Sequence, residues 1–280
     1  ALRGAGFSST LIERFFRDLG AQRDDVTIGI GDDAAVTAVP PGCELVLTTD
    51  TLVAGVHFLS GAPGRSIGHR ALAVNLSDIA AMAAMPAWAL LSLTLPEADE
   101  SWLAQFAAGF GALAREHHVA LVGGNLARGP LSVTVQLVGL VATGKALRRS
   151  TAAAGDVLCV TGSVGDAAAA LAMQLGRLAD SGDPKLRARF EYPTARVTLG
   201  ARLHGLASAC IDLSDGVGID LGRLASASGL RAIIDIERLP ISAELTAAAG
   251  ETAWQYALQG GEDYELGIAV PAARVQVLQQ

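Results

Sequence analysis

Apolar residues recur at Ile67, Ala71, Val74 and Ile79, a spacing that collects them on one helical face and predicts a helix over residues 66–82 with Asp78 riding on it. The strict alternation Leu91-Ser92-Leu93-Thr94-Leu95 switches the period from helix to strand. Ser8 or Ser9 is placed to cap a helix over residues 11–19, and residues 44–49, rich in β-branched side chains, predict a strand that ends in Asp50. A helix capped by Asp99 and running to about residue 116, then strands over 119–122 and 131–141, complete a first mixed α/β unit. Residues 144–155 are basic and small with no apolar period, so a linker is expected there. Beyond it the pattern predicts strands over 157–161, 210–213, 232–236 and 264–270, and helices over 164–175, 194–206 and 221–228. A polar loop is expected over 180–185, and residues 272–280 read as a helix just starting. The expected class is α/β (α+β) in two domains, residues 1–145 and 146–280, with no internal repeat.

Composition narrows the picture. The 280 residues suit two domains of ordinary size, and an apolar fraction of 51% with 18% charged residues describes a globular chain. The net charge of -7, with Lys and Arg scattered, offers no footprint for nucleic acid. Cys43, Cys159 and Cys210 are too few and too far apart for a disulfide framework or a zinc cage, so a reducing cytoplasm is the expected compartment. The most apolar stretch, residues 79–96, is interrupted by Pro86 and by the strand alternation, and it is not read as a membrane span. No leader pattern of a basic start and an apolar core is present.

The candidate chemistry lies in carboxylates at strand ends and glycine-rich turns: Gly31-Asp32-Asp33, Thr48-Thr49-Asp50-Thr51, Leu76-Ser77-Asp78 and Asp212-Leu213-Ser214-Asp215-Gly216. Each alone reads as a turn or a helix cap. As a set, brought close by the fold, they would repel one another unless a hard cation neutralised them, which favours a shared metal site. Strand periodicity puts Asp212 and Ser214 on one face. The spacing lacks the acidic ligand that closes a calcium-binding helix-loop-helix, so magnesium is the better candidate, its octahedron completed by waters and nucleotide phosphates. The run from Gly139 to Lys145 matches the spacing of a phosphate-binding loop, but Ala146 lacks the metal-binding hydroxyl and Gly139 falls inside a strand pattern. Pairs such as Gly123-Gly124 and Gly260-Gly261 are weak signals among 32 glycines. His57, in a loop seven residues past Asp50, is the histidine placed to border the metal site. No nucleophile elbow stands between a strand and a helix, so acyl transfer has no support.

With these residues assembled, the chain resembles the thiamine-monophosphate kinase family, part of the aminoimidazole-ribonucleotide-synthetase superfamily. The resemblance rests on Gly29-Ile30-Gly31-Asp32-Asp33-Ala34-Ala35, the run from Thr48 to Phe58, the run from Ala71 to Met82, Ile211 to Gly216, and Gly260-Gly261-Glu262-Asp263-Tyr264-Glu265-Leu266, in order along nearly the whole chain. It implies transfer of the ATP γ-phosphoryl group to thiamine monophosphate, and a homodimer paired through the N-terminal domains. Carried over by position, it implies that Asp33, Thr48, Thr49, Asp50, Asp78, Asp212 and Asp215 bind several magnesium ions, that Gly124, Arg149 and Ser214 contact ATP, and that His57 and Glu262 contact the substrate.

Such an acceptor, a phosphate monoester with a second pKa of about 6, is already largely ionised near neutral pH and needs no strong base. The obstacle is repulsion between anionic nucleophile and polyanionic donor, which metals and cations relieve. Two departures stand out. Where the family has Gly-Gly-Asp-Thr this chain has Gly123-Gly124-Asn125-Leu126, so Asn125 offers metal or ATP a neutral carbonyl oxygen. The family pattern also continues past residue 280 with a segment that supplies an aromatic contact to the substrate, so the second domain is expected to be truncated. The alternatives are a member that binds ATP and magnesium with weakened turnover, or a sibling ATP-dependent enzyme with another substrate.

Overall fold

The computed structural model describes residues 5–278 and divides them into two units. The first takes the described residues up to Ile79 together with Met85–Gly144; the second takes Ala80–Ala84 and the described residues from Lys145 onward.

In the first unit, helix α1 (Ala5–Phe15) and a short hairpin of β1 (Val26–Ile28) and β2 (Val36–Thr37) precede β3 (Cys43–Val53), α2 (Gly64–Ala81), β4 (Met85–Leu95), α3 (Glu100–Glu116), β5 (Ala120–Arg128) and β6 (Ser132–Ala142). The main sheet runs β3-β6-β4-β5, with β4 and β5 parallel and the other pairs antiparallel. Asp99 caps α3 as expected, its carboxylate accepting the N–H groups of Ser101 and Trp102. Helices α2 and α3 approach closely because glycines line their contact: a Cβ on Gly68 would lie 2.2 Å from the Phe106 carbonyl oxygen, and one on Gly109 2.0 Å from that of Arg65. The apolar stripe of α3, Leu103, Phe106, Phe110 and Leu113, is buried. Each such side chain contributes roughly 1.5–3 kcal/mol relative to exposure.

The second unit holds β7 (Val157–Val160), α4 (Asp166–Gln174), α5 (Pro184–Glu191), α6 (Val197–Arg202), β8 (Ala209–Leu213), α7 (Val217–Ala227), α8 (Ala243–Ala249), α9 (Ala253–Gln259), β9 (Glu265–Val270) and α10 (Val275–Leu278). Its sheet is antiparallel, ordered β7-β9-β8. Val164, Ile211, Leu213, Leu221 and Leu224 form one core beside it, and Ala167, Leu186, Phe190 and Leu245 a second among the helices. The segment Ala80–Ala84 belongs here through Leu147, whose N–H donates to the Met82 carbonyl, and through Gly200, whose missing side chain leaves room for the Ala80 carbonyl.

Several boundaries differ from the sequence pattern. Ser8 and Ser9 lie inside α1 rather than capping it. β3 does not end at Asp50, because its ladder with β6 continues unbroken from Cys43 to Val53. Residues 232–236 are not a strand: Ala232 and Ile234 pack on the core while Ile233 is 91% exposed, so the alternation is that of an extended segment without a ladder. α5 begins inside the region expected to be a polar loop, started by Asp183 as cap and Pro184 at its first turn. The last two residues of the expected C-terminal helix lie outside the described residues.

Candidate active site

The first unit distributes its candidate ligands over both faces of the main sheet. Strand alternation sends Thr48 and Asp50 to the face covered by α2, and there the Thr48 hydroxyl donates to Asp78 Oδ2 at 2.5 Å. Thr49 points the opposite way, its hydroxyl donating to the Val135 carbonyl at 3.1 Å. Asn125 shares that open face: cross-strand pairing lines it up with Ser92, Ser92 with Thr134 and Thr134 with Thr51, a polar row in which the two threonine hydroxyls are 2.9 Å apart. Gly124 must be glycine, since φ is +150° and a Cβ would lie 1.8 Å from the Leu91 carbonyl oxygen. Asp33 is exposed on the turn after Gly31, its N–H donating to the Asp32 carboxylate at 2.8 Å.

His57 lies in a tight loop held by N–H groups of Val56 and His57 on the Val53 carbonyl. Its Nδ1 accepts the Val53 N–H at 3.1 Å, which leaves Nε2 as the side that can donate outward.

The second unit concentrates its candidates where β8 ends. Asp212 is buried, with Arg149 at 4.0 Å from its Oδ1. Asp215 is exposed and ion-paired with Arg223. Beneath them Asp220, 1% exposed, accepts the N–H groups of Asp215 at 2.8 Å and Gly216 at 3.1 Å and the Arg223 guanidinium at 2.9 Å. Burial raises the Asp220 pKa, opposed by the N–H donor of Asp215. The Gly260-Gly261 turn presses on the same loop, because a Cβ on Gly261 would lie 2.3 Å from the Ser214 carbonyl oxygen. The Glu262 N–H donates to that carbonyl at 2.9 Å, and the Tyr264 hydroxyl donates to Glu262 Oε2 at 2.9 Å.

Beneath the turn lies a buried charged network. Glu265 is fully buried and receives Arg196 through Nε at 2.6 Å, Arg189 at 2.8 Å and the Thr161 hydroxyl. Asp263 is 1% exposed, and burial pushes its carboxyl up to about 7 against the pull of the Gly165 N–H and Arg189. Asp263 and Glu265 stand in the last of the motifs that carry the resemblance but are given no role there, and Asp220, Arg189 and Arg196 are absent from the sequence reading. The available signal for Glu265 was an acid opening an otherwise continuous apolar run, Leu266 to Val270.

The expectation of a single shared cluster is not what each unit shows by itself. Among the described residues no three His, Cys, Asp or Glu side chains gather into a group that could hold a metal on their own. The donors that do meet, such as Thr48 with Asp78, are hard oxygens in ones and twos, the donor set that suits magnesium when phosphates and waters fill the remaining positions.

Comparison with known proteins fixes the class. Residues 31–144 match the model of the AIR synthase related protein N-terminal domain, and residues 153–278 match that of its C-terminal domain. The thiamine-monophosphate kinase of Salmonella typhimurium is 46% identical over 266 residues, covering 94% of this chain and 82% of that protein. Among solved structures, thiamine-monophosphate kinase from Stenotrophomonas maltophilia K279a superposes with a TM-score of 0.88 at 47% identity, over 92% of this chain and 84% of that one. AaThiL complexed with AMPPCP and TMP gives 0.79 at 36% identity, over 88% and 81%. The chain belongs to the thiamine-monophosphate kinase family, and the expected two-domain fold with mixed helices and sheets is the one it has.

Proposed function

We propose that the chain catalyses ATP-dependent phosphorylation of thiamine monophosphate to thiamine diphosphate, by in-line transfer of the γ-phosphoryl group to the substrate phosphate. The observation that carries this reading is the bond from the Glu262 N–H to the Ser214 carbonyl at 2.9 Å, which ties the residue assigned to the substrate to the loop assigned to ATP. The relative complexed with AMPPCP and TMP supports the same pair of substrates.

In this reading Asp33, Thr48, Thr49, Asp50, Asp78 and Asn125 in the first unit, and Asp212 and Asp215 in the second, hold several magnesium ions. Magnesium, when bound, neutralises charge on the transferring phosphoryl group. Division of the first unit's ligands between two sheet faces favours separate ions over one shared site. Gly124, Asn125, Arg149 and Ser214 contact ATP, with the Arg149 guanidinium adding a cation near Asp212. His57 Nε2 and the Glu262 carboxylate contact the acceptor. No residue is assigned as a strong base, because the acceptor is already anionic.

A homodimer through the N-terminal domain is part of the proposal. Its support is the open sheet face, where Leu47 is 71% and Met85 50% exposed. Cytoplasmic location is proposed from three cysteines that are all free thiols; among the described residues no helix is long and apolar enough to cross a membrane.

The test is release of ADP from ATP and magnesium with thiamine monophosphate, thiamine or an aminoimidazole ribonucleotide as acceptor. Release dependent on the monophosphate, with thiamine diphosphate formed one for one, is the expected result. ATP binding without that turnover would replace this reading with that of a nucleotide-binding member.

A further inference from the structure

Residues 260–265 carry the chain from α9 into β9 through a backbone that needs outside support. Glu262 (φ +72°) and Tyr264 (φ +52°) are both left-handed, a region that residues with a side chain rarely occupy, and they stand two apart. Each is held by a bond to the end of β8: the Glu262 N–H to the Ser214 carbonyl and the Tyr264 N–H to the Leu213 carbonyl, both at 2.9 Å.

Between them Asp263 turns inward, and its Oδ2 accepts the N–H of Gly165 at 2.7 Å. Gly165 is the N-cap of α4, has no side-chain cap of its own and cannot carry one, since φ is +91° and a Cβ there would lie 2.5 Å from the Ala257 nitrogen. α5 and α8, by contrast, are capped locally by Asp183 and Ser242. The α4 cap therefore comes from 98 residues away, out of the middle of the left-handed turn. Asp263 Oδ1 is buried with no hydrogen-bond partner, a desolvation cost that the Ala167 N–H and the Arg189 charge offset only in part, so the Gly165 bond is the carboxylate's main anchor.

We propose that Asp263 is a positioning residue for the acceptor: anchored on Gly165, it holds the Glu262–Tyr264 turn in its left-handed form and so directs the Glu262 carboxylate, which the Tyr264 hydroxyl steadies. The proposal rests on the reading of Glu262 as a substrate contact. It assigns no contact with the reacting atoms to Asp263 itself.

The experiment is steady-state kinetics on the full chain with Asp263→Ala, Asp263→Asn, Glu262→Gln and the double variant Glu262→Gln/Asp263→Ala, measuring KM for both substrates. Loss of the anchor in Asp263→Ala is expected to raise KM for thiamine monophosphate about tenfold, the scale of one hydrogen bond to a charged group, with KM for ATP unmoved. Asp263→Asn, which keeps an acceptor oxygen for Gly165, restores KM to within about twofold of wild type by the same reasoning. In the Glu262→Gln background Asp263→Ala adds nothing further. If Glu262→Gln raises that KM and Asp263→Ala does not, this proposal fails alone; if Glu262→Gln leaves it unchanged, the substrate assignment fails and takes the proposal with it. Should Asp263→Ala not fold, Asp263→Ser replaces it, its hydroxyl too short to reach Gly165. Failure of both to fold, or a drop in melting temperature with both KM values unchanged, makes Asp263 a helix cap and nothing more.

Discussion

A carboxylate buried with one of its oxygens unpartnered responds to pH in a direction that can be stated. Burial raises Asp263 from 3.8 to about 7, so the folded chain keeps a proton there that the unfolded chain has already lost. The stabilisation from that proton is fully present below the unfolded value and is lost as pH rises through about 7. Arg189 works against the rise and Asp166 with it, and both remain when Asp263 is replaced. Asp263→Asn, which cannot ionise, is therefore expected to gain melting temperature relative to wild type as pH goes from about 5 to about 8. A constant difference across that range would mean that Asp263 does not titrate there. Asn125 permits a second test at this scale. Restoring the carboxylate with Asn125→Asp adds a negative charge at a position assigned to metal, so half-maximal activity should need several-fold less magnesium, and an unchanged or raised requirement removes residue 125 from the metal set. The residues proposed for the site from Asp33 to Asp215 sit in contiguous motifs, which is why the sequence could nominate them. Asp263 and Glu265 stood in such a motif without a role and Asp220 in none, because what defines Asp263 and Glu265 is a partner as far away as Gly165 or Arg189, and spacing along the chain carries no trace of it.

Among the elements, α3 was the most legible, since its cap and its end both agree. α8 and α9 were missed because they are short, seven residues each, too few turns to show a clear apolar period; Gly250, which ends α8 with a positive φ, is the stop signal that went unused. The segment 232–236 failed in the other direction. It has strand alternation, but strand status needs a partner, and β8 pairs with β9 instead. The α2–α3 contact sets two magnitudes against each other. Gly109→Ala in an exposed helix would gain about 1 kcal/mol in propensity. Here the added methyl meets the Arg65 carbonyl at 2.0 Å, and overpacking of that kind costs typically 1–3 kcal/mol or more. Gly109→Ala is expected to lower stability by about 1–2 kcal/mol net, read by denaturant titration; a stabilised variant would show that α2 and α3 can slide apart freely.

For the whole molecule, the proposed pairing makes a prediction independent of catalysis. Leu47→Asp places a charge on the most exposed apolar side chain of the open sheet face without touching the covered one, and sedimentation should show a shift from dimer to monomer with the fold retained. An unchanged mass would move the interface elsewhere. The route of the chain has its own consequence. The second unit takes Ala80–Ala84 from the first half and uses them under Leu147 and Gly200. During synthesis this pentapeptide leaves the ribosome more than sixty residues before its earliest partner and well over a hundred before Gly200. Until then it is an apolar stub on a half-made protein, which makes a stall in that interval the moment at which the nascent chain most needs a chaperone.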